Sequence, residues 1–211
     1  MNRRLLLHGV TSGLLLNFLP WQSFQAKKQK LLGYIRTNWS RDPYTYGSYS
    51  HIPKGASRSD IGALEQPIDK KIFFAGEATF PKHNSTVHAA YESGLRAANS
   101  ILQGSADRIA IIGAGMSGLA SAHKLSTNGR EVTVFEARDR IGGRIWTDDR
   151  LGVPLELGAS WIHGINGNRT KKTVENRDSF YLDTGLTNTG CTAQLTIPSA
   201  VNAPGNFFLI I

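Results

Sequence analysis

Gly113-Ala114-Gly115-Met116-Ser117-Gly118 is a G-x-G-x-x-G, and Glu136 stands about 20 residues beyond it. These residue types at this spacing suit the binding of a dinucleotide. Gly113 permits a tight turn out of a strand, and Gly115 lets backbone approach a pyrophosphate with no side chain in the way. Gly118 lets the following helix pack close to the strand. That helix would aim unpaired N–H groups and a positive dipole end at the phosphates. A carboxylate at Glu136 would accept from ribose hydroxyls. Glycine-rich turns are common, so the loop carries weight only because its neighbours fit as well.

The elements needed to position these residues are present as patterns. Ile109-Ala110-Ile111-Ile112 is a short, β-branched apolar run that reads as a strand buried on both faces. Leu119, Ala122 and Leu125 mark one face of the helix after the glycine loop, which closes at Asn128-Gly129. A second strand over residues 131–135 delivers Glu136. Upstream, residues 70–75 form another apolar strand running into Gly76-Glu77-Ala78-Thr79. Thr86-Val87-His88 opens a helix reaching Leu102, with Tyr91, Leu95, Ala98 and Leu102 as its inner face. Gly104-Ser105-Ala106-Asp107 then turns the chain into the strand at Ile109. This order predicts parallel strands at 70–75, 109–112 and 131–135, joined by right-handed crossovers, with their C-terminal ends on one edge. Open α/β sheets bind ligands at such an edge, here carrying Gly76-Glu77, the glycine loop and Glu136.

The remaining segments are less specific. Ile141-Gly142-Gly143-Arg144 suits a backbone passing close to phosphates with a guanidinium to pair one, or equally a charged surface turn. Residues 27–66 read as loop, whose Trp39 and tyrosines are either packed anchors or the wall of an apolar pocket. Residues 1–26 resemble an export signal, with Arg3-Arg4 before an apolar run in the twin-arginine manner. The protein is then expected outside the cytoplasm, in the periplasm or beyond, and otherwise in the cytoplasm. The apolar run is too interrupted to be a stable membrane span. The alternative is an uncleaved anchor or an amphipathic helix. Residues 169–211 show no lasting period, and their apolar end, Phe207-Phe208-Leu209-Ile210-Ile211, is either a strand added to a sheet edge or an aggregation hazard.

Composition narrows the function classes. The formal charge of +8 on 211 residues is partly N-terminal and otherwise scattered, without the aromatic-interleaved patch of a nucleic-acid binder. A single cysteine, Cys191, excludes an internal disulfide framework and a multi-cysteine zinc site, and the histidines lack ligand spacing, so no metal is expected.

Taken together, these residues resemble the flavin-containing amine oxidases, the family of monoamine oxidases, polyamine oxidases and flavin-type histone lysine demethylases. Residues 109–164 are similar to that family's N-terminal FAD-binding segment through Gly113 to Gly118, Glu136-Ala137-Arg138, Ile141-Gly142-Gly143-Arg144 and Gly158-Ala159-Ser160-Trp161-Ile162-His163-Gly164. Residues 38–102 resemble its C-terminal segment through Trp39, Asp42-Pro43, Gly47-Ser48-Tyr49, Phe74-Ala75-Gly76-Glu77-Ala78-Thr79 and Thr86-Val87-His88-Ala89-Ala90 with Ser93-Gly94. The resemblance implies a Rossmann-like α/β FAD-binding fold with a parallel sheet. It implies that Glu136 binds the adenosine ribose and Arg144 the pyrophosphate. Gly76-Glu77 would lie by the pyrophosphate and ribityl chain, the Thr86 and Val87 backbone by the flavin ring, and Trp39 on the substrate side. Met116, Ser117, Ala137, Arg138, Gly142, Gly143, Gly158, Ala159, Ser160 and Trp161 join the cofactor set. FAD is favoured over NAD because the Gly142-Gly143-Arg144 and Gly76-Glu77 pieces accompany the glycine loop.

This sequence departs from the family pattern in four ways. Its two segments stand in reversed order, and the family's long middle is missing. With the middle go the substrate domain, the lysine facing the flavin and a strand beside the first one. Ala89 replaces a common glycine, and nothing from Arg169 onward matches convincingly. The fold is therefore expected to be incomplete relative to the family, with residues 27–104 and 105–168 as its two FAD-binding pieces and 169–211 unassigned. A permuted module and a spliced, degraded gene fragment both fit, and the patternless tail favours the fragment. The implied activity is FAD-dependent oxidation of a small-molecule amine by oxygen, giving imine or aldehyde, ammonia or amine, and peroxide. The alternative is a non-catalytic flavin-binding module or inactive fragment. No catalytic residue, particular amine or oligomeric state is legible.

Overall fold

The computed structural model describes residues 30–161 and the backbone of two further strands, 191–194 and 207–210. Every element below lies in the compact unit Ile35–Ile211, which is distinct from the unit Met1–Tyr34. The expected export signal and most of the tail lie outside the described residues, as do Ile162, His163 and Gly164.

Short apolar strands stack into one parallel sheet. Ile72–Phe73 is β1, Arg108–Ile112 β2 and Glu131–Phe135 β3. Thr147–Asp148 (β4) and Leu155–Glu156 (β5) form a separate antiparallel pair. Cys191–Gln194 is β6 and Phe207–Ile210 β7, and the five-stranded sheet runs β1-β7-β2-β3-β6 with every pair parallel. Parallel pairing puts the C-terminal ends of β1, β2 and β3 on one edge, as the sequence order predicts.

The neighbour of β2 differs from expectation. β7 lies between β1 and β2, matching Leu209 to both Ile72 and Ala110 and Ile210 to both Phe73 and Ile111. The apolar end of the tail is thus an interior strand rather than an edge addition. A slot one strand wide satisfies backbone groups on both sides of whatever fills it, where an outer edge satisfies one side only. β2 is also half-buried rather than buried on both faces: Ile109 and Ile111 are enclosed, but Ile112 is 45% exposed.

Three helices accompany the sheet. Arg58–Leu64 is α1, Val87–Leu102 α2 and Met116–Ser126 α3. α1 falls within a stretch whose composition reads as mostly loop. Its start is marked by Ser57, whose N–H donates to the Asp60 carboxylate at 2.7 Å, a capping box in a stretch with little apolar pattern. Thr86 caps α2, accepting from the Ala89 N–H at 3.2 Å.

α3 buries Leu119, Ala122 and Leu125 as its spacing predicts. α2 buries only part of its predicted face, Ala98 fully and Leu102 in part against the core. Ser93, Gly94, Ala97, Ala98 and Ile101 are buried, whereas Tyr91, Leu95 and Leu102 are only partly covered. The reason is the closeness of the two helices. A Cβ on Gly94 would lie 2.3 Å from the Ser117 carbonyl oxygen, and the Ser121 hydroxyl donates to the Gly94 carbonyl at 3.0 Å. Small residues permit that approach, so size overrides hydrophobicity in choosing the inner face. The core joins Ala97, Ala98 and Ile101 to Phe73, Ile109, Ile111, Leu119, Leu125, Val132 and Val134. Among the described residues, no helix is long and apolar enough to cross a membrane.

Candidate functional site

The site grows from the end of β2. Gly113 adopts φ +103°, a conformation that favours glycine, and its N–H donates to the Phe135 carbonyl at 2.7 Å. The glycine loop is thereby tied to the end of β3, where Glu136 begins. The Glu136 carboxylate accepts from the Ala114 N–H at 2.7 Å and from the Arg138 N–H at 2.9 Å. Each oxygen takes one of these bonds, and an ionised carboxylate has about four acceptor positions, so capacity remains for ribose hydroxyls. A Cβ built on Gly113, Gly115 or Gly76 would meet nothing within 4 Å, which leaves an open cradle at the start of α3.

The Gly142-Gly143-Arg144 turn closes against this loop. Gly142, at φ +96°, donates its N–H to the Ala114 carbonyl at 2.8 Å and bridges Gly115 in parallel. A Cβ on Gly143 would approach the Gly115 Cα to 3.4 Å. The turn therefore brings Arg144 beside the cradle. Its guanidinium donates through Nη1 to Glu77 at 2.8 Å and, at 3.4 Å, to the Ser48 carbonyl. Glu77 is 6% exposed and follows the 3₁₀ turn's opening residue, Gly76, whose N–H donates to the Ser93 hydroxyl at 2.9 Å. Burial pushes the Glu77 carboxyl up, but the Ser50 hydroxyl, Arg144 and the Ser85 N–H together hold it below the usual carboxylate value.

Two more contacts join the upstream segment to the downstream one. Arg138 Nη2 donates to Asp42 at 2.5 Å while its guanidinium lies 4.9 Å from the centre of the Tyr44 ring. Trp39 Nε1 donates to the Leu157 carbonyl at 3.1 Å, and its ring meets Trp146 edge-on. Trp39 thus packs as an anchor in the joint. The hydrogen bond from Arg138 is the main cause that lowers Asp42 from 3.8 to about 2. A depressed carboxyl contributes stability that is present above its unfolded value and lost as pH falls through the folded one. Wild-type protein is therefore expected to lose stability between pH 3.8 and about 2 in a step that Asp42→Asn lacks. Denaturation midpoints of both proteins across that window check it, and parallel curves would refute it.

The other expected residues are placed as follows. Met116 and Gly118 are buried in α3, Ser117 is partly buried and Ala137 is exposed. Thr86 and Val87 open α2, next to Ser85, whose N–H donates to Glu77 at 2.7 Å. Gly158 and Ala159 back the Arg144 main chain: the Ala159 N–H donates to its carbonyl at 3.1 Å, and a Cβ on Gly158 would lie 1.9 Å from the same oxygen. Ser160 and Trp161 are exposed, Trp161 by 79%.

Sequence reasoning missed Ser50, Ser85 and Arg96, and took Ser93 only as part of a family motif without a role. Arg96 ties the Glu65 and Phe74 carbonyls and the Thr79 hydroxyl together at 2.9, 2.8 and 3.1 Å. The serines stand in polar loops or among small helix residues, where no spacing separates a buried hydroxyl from a solvated one. Arg96 carries a weak signal: it is the one long cation within a stretch of helix otherwise rich in small residues.

The donor set fits a dinucleotide diphosphate: an open glycine cradle at a helix start, a carboxylate with free acceptor capacity, and a guanidinium with donors to spare. The family model described as flavin containing amine oxidoreductase matches residues 18–102 and 116–188. A lysine-specific histone demethylase 1 homolog 2 of Arabidopsis thaliana is 50% identical over 68 residues, covering 32% of this chain and 9% of that protein. A probable polyamine oxidase 4 of Arabidopsis thaliana is 55% identical over 58 residues, covering 28% of this chain and 12% of that protein. A solved putrescine oxidase chain is 55% identical over 26% of this chain and 12% of its own, with a TM-score of 0.26. The matched stretches thus span about a tenth of the length of these curated relatives.

Proposed function

We propose, from the premise that this chain belongs to the flavin containing amine oxidoreductase family, that it is the FAD-binding part of an amine-oxidising flavoprotein. FAD is the cofactor that membership implies. The observation that carries the reading is the cradle itself. The glycine loop stays open where a Cβ would meet nothing, Glu136 keeps acceptor capacity at one end, and Arg144 stands beside the loop. Glu136 would take the adenosine ribose, Arg144 and the first turn of α3 the diphosphate, and the Thr86-Val87 backbone the flavin ring.

When bound, FAD would supply a two-electron oxidant: it would accept the hydride lost from the carbon beside an uncharged amine, leaving an imine for water to hydrolyse, and would pass the electron pair to dioxygen, which with protons gives hydrogen peroxide. This chain's residues orient and hold, and that chemistry asks for no general base beyond what keeps the amine neutral. A small amine is the substrate class this reading assigns, in line with the polyamine oxidases among the relatives. A second reading, flavin binding without turnover, is favoured by Trp39. The residue assigned to the substrate side gives its N–H to Leu157 and packs edge-on against Trp146.

An absorbance spectrum of the chain from Lys27 onward, refolded with FAD and freed of excess, tests both. Retained bands with shifted, structured maxima support flavin binding, and amine-dependent peroxide then supports the oxidase. Retention without peroxide selects the second reading. Loss of FAD with aggregation would sink both.

A further inference from the structure

We infer that the cleft between the loop after β3 and the β4–β5 pair is an anion site separate from the glycine cradle, taking a phosphate monoester through Arg140 and Arg150. The cleft measures about 490 Å³ and is lined by Arg138, Asp139, Arg140, Trp146, Asp148 and Arg150. Of the residues assigned to the cofactor only Arg138 reaches it, and that guanidinium is held by Asp42. The inference therefore stands whether or not the chain binds a flavin. Arg150 is aimed by a buried carboxylate. Asp148, 7% exposed, accepts from the Arg150 N–H at 3.0 Å and from its Nε at 2.7 Å, with Nη2 also 2.7 Å away. One edge of the fork is thus fixed, while the side chain stays 66% exposed and Nη1 makes no bond among the described residues. A guanidinium is planar and rigid, so fixing one edge sets the direction of the other.

Arg140 supplies the unanswered charge. Its guanidinium lies 4.6 Å from the centre of the Trp146 ring, and Nη1 reaches the Ile141 and Ile145 carbonyls only at 3.3 and 3.5 Å. Nη2 is buried and donates to nothing among the described residues. Arg138 and Arg150 are each bonded to a carboxylate, but Arg140 is bonded to none, and the exposed Asp139 bonds neither Arg140 nor Arg150. Burial, and Arg138 beside it, push the Arg140 guanidinium below its ordinary value, as befits a cation short of counter-charge. Long bonds hold Nη1 loosely, and a stack on an indole face lets the fork turn in its own plane. An entering oxygen can then take up the Nη2 donors. The two forks stand on different walls of the cleft, and this selects the ligand. A carboxylate presents one planar edge, which a single fork exhausts, whereas a tetrahedral phosphate presents an edge to each. The volume leaves room for the organic group that carries it.

Calorimetric titration of phenyl phosphate into the whole chain tests this, with benzoate as the carboxylate control and thermal midpoints as the check on folding. Arg140→Ala and Arg150→Ala are each expected to weaken phenyl phosphate roughly tenfold, the scale of a lost charge-assisted bond. Asp139→Asn removes an opposing charge from the wall and should tighten it by about threefold. Arg144→Ala, and FAD in excess, which carries a diphosphate diester but no monoester, should each change it by no more than about twofold. Phenyl phosphate displaced by FAD or lost in Arg144→Ala would place the anion in the glycine cradle and overturn the inference. Benzoate bound as tightly would overturn the choice of ligand. Binding that is undetectable at millimolar concentration, or indifferent to both Arg140→Ala and Arg150→Ala, would leave only the general attraction of a basic chain. If Arg140→Ala does not fold, Arg150→Ala and Asp139→Asn decide: opposite shifts are expected, and no shift in either overturns the site. Failure of the flavin reading is a separate result, seen as absence of FAD binding while phenyl phosphate still binds.

Discussion

Gly118→Ala is expected to destabilise the chain by about 3 kcal/mol and to abolish FAD retention, the upper end of the usual cost of overpacking. A Cβ at this position would sit 2.0 Å from the Gly113 carbonyl oxygen and 3.2 Å from Ile111 Cγ2. The first neighbour is backbone of the glycine loop and the second a core side chain of β2. Neither can yield without moving α3 off the sheet or reshaping the loop that approaches the diphosphate. Denaturant unfolding of the variant and of wild type measures the loss. Gly62→Ala in α1 is the control, because a Cβ there meets nothing within 4 Å, and it should be neutral or slightly stabilising. A Gly118→Ala protein within about 0.5 kcal/mol of wild type, the range of an ordinary surface change, would contradict the close packing of α3 on β2.

Leu209→Pro carries the second large effect, about 3 kcal/mol or more, comparable to proline inside a helix. Leu209 pairs with Ile72 on one side and Ala110 on the other. Proline cannot donate to the ladder and is tolerated in sheets mainly at edges and bulges. Thermal unfolding should shift down by many degrees, whereas Leu209→Val should stay near wild type. An unchanged midpoint for the proline variant would show that β7 does not occupy the slot between β1 and β2.

Much of the site is legible in the sequence because its residues carry positional constraints that survive in one dimension. Gly113, Gly115 and Gly118 must be small for separate geometric reasons, and Glu136 must follow the next strand. Those requirements fix a spacing that the linear order of residues displays by itself. The parallel order of β1, β2 and β3 follows from the same alternation of apolar runs and helical faces. What is illegible depends on partners far apart in the chain. Phe207 to Ile210 read as an edge strand or a hazard because nothing local says that a slot awaits them. The inner face of α2 is misplaced in part because hydrophobicity points to Tyr91 and Leu95, while the close approach of α3 demands a small residue at Gly94. The bonds that hold the Glu77 carboxyl below its usual value can be read only once folding brings Ser50, Ser85 and Arg144 together.

The joint between the two segments has a consequence for how strong its contacts need to be. Trp39, Asp42 and Glu77 lie before the turn at Gly104, and their partners Leu157, Arg138 and Arg144 lie after it. Taken singly, each polar link is the kind of contact that two independent polypeptides would hold only fleetingly. It adds to the α2–α3 packing and the shared core that also join the halves. Here a helix and a four-residue turn connect the halves, so each contact forms within a single molecule, at an effective concentration that for short tethers is on the order of millimolar or higher. A tether of that kind turns weak bonds into a standing assembly. The polypeptide running from α2 into β2 therefore acts as the local supply of one half of the site to the other.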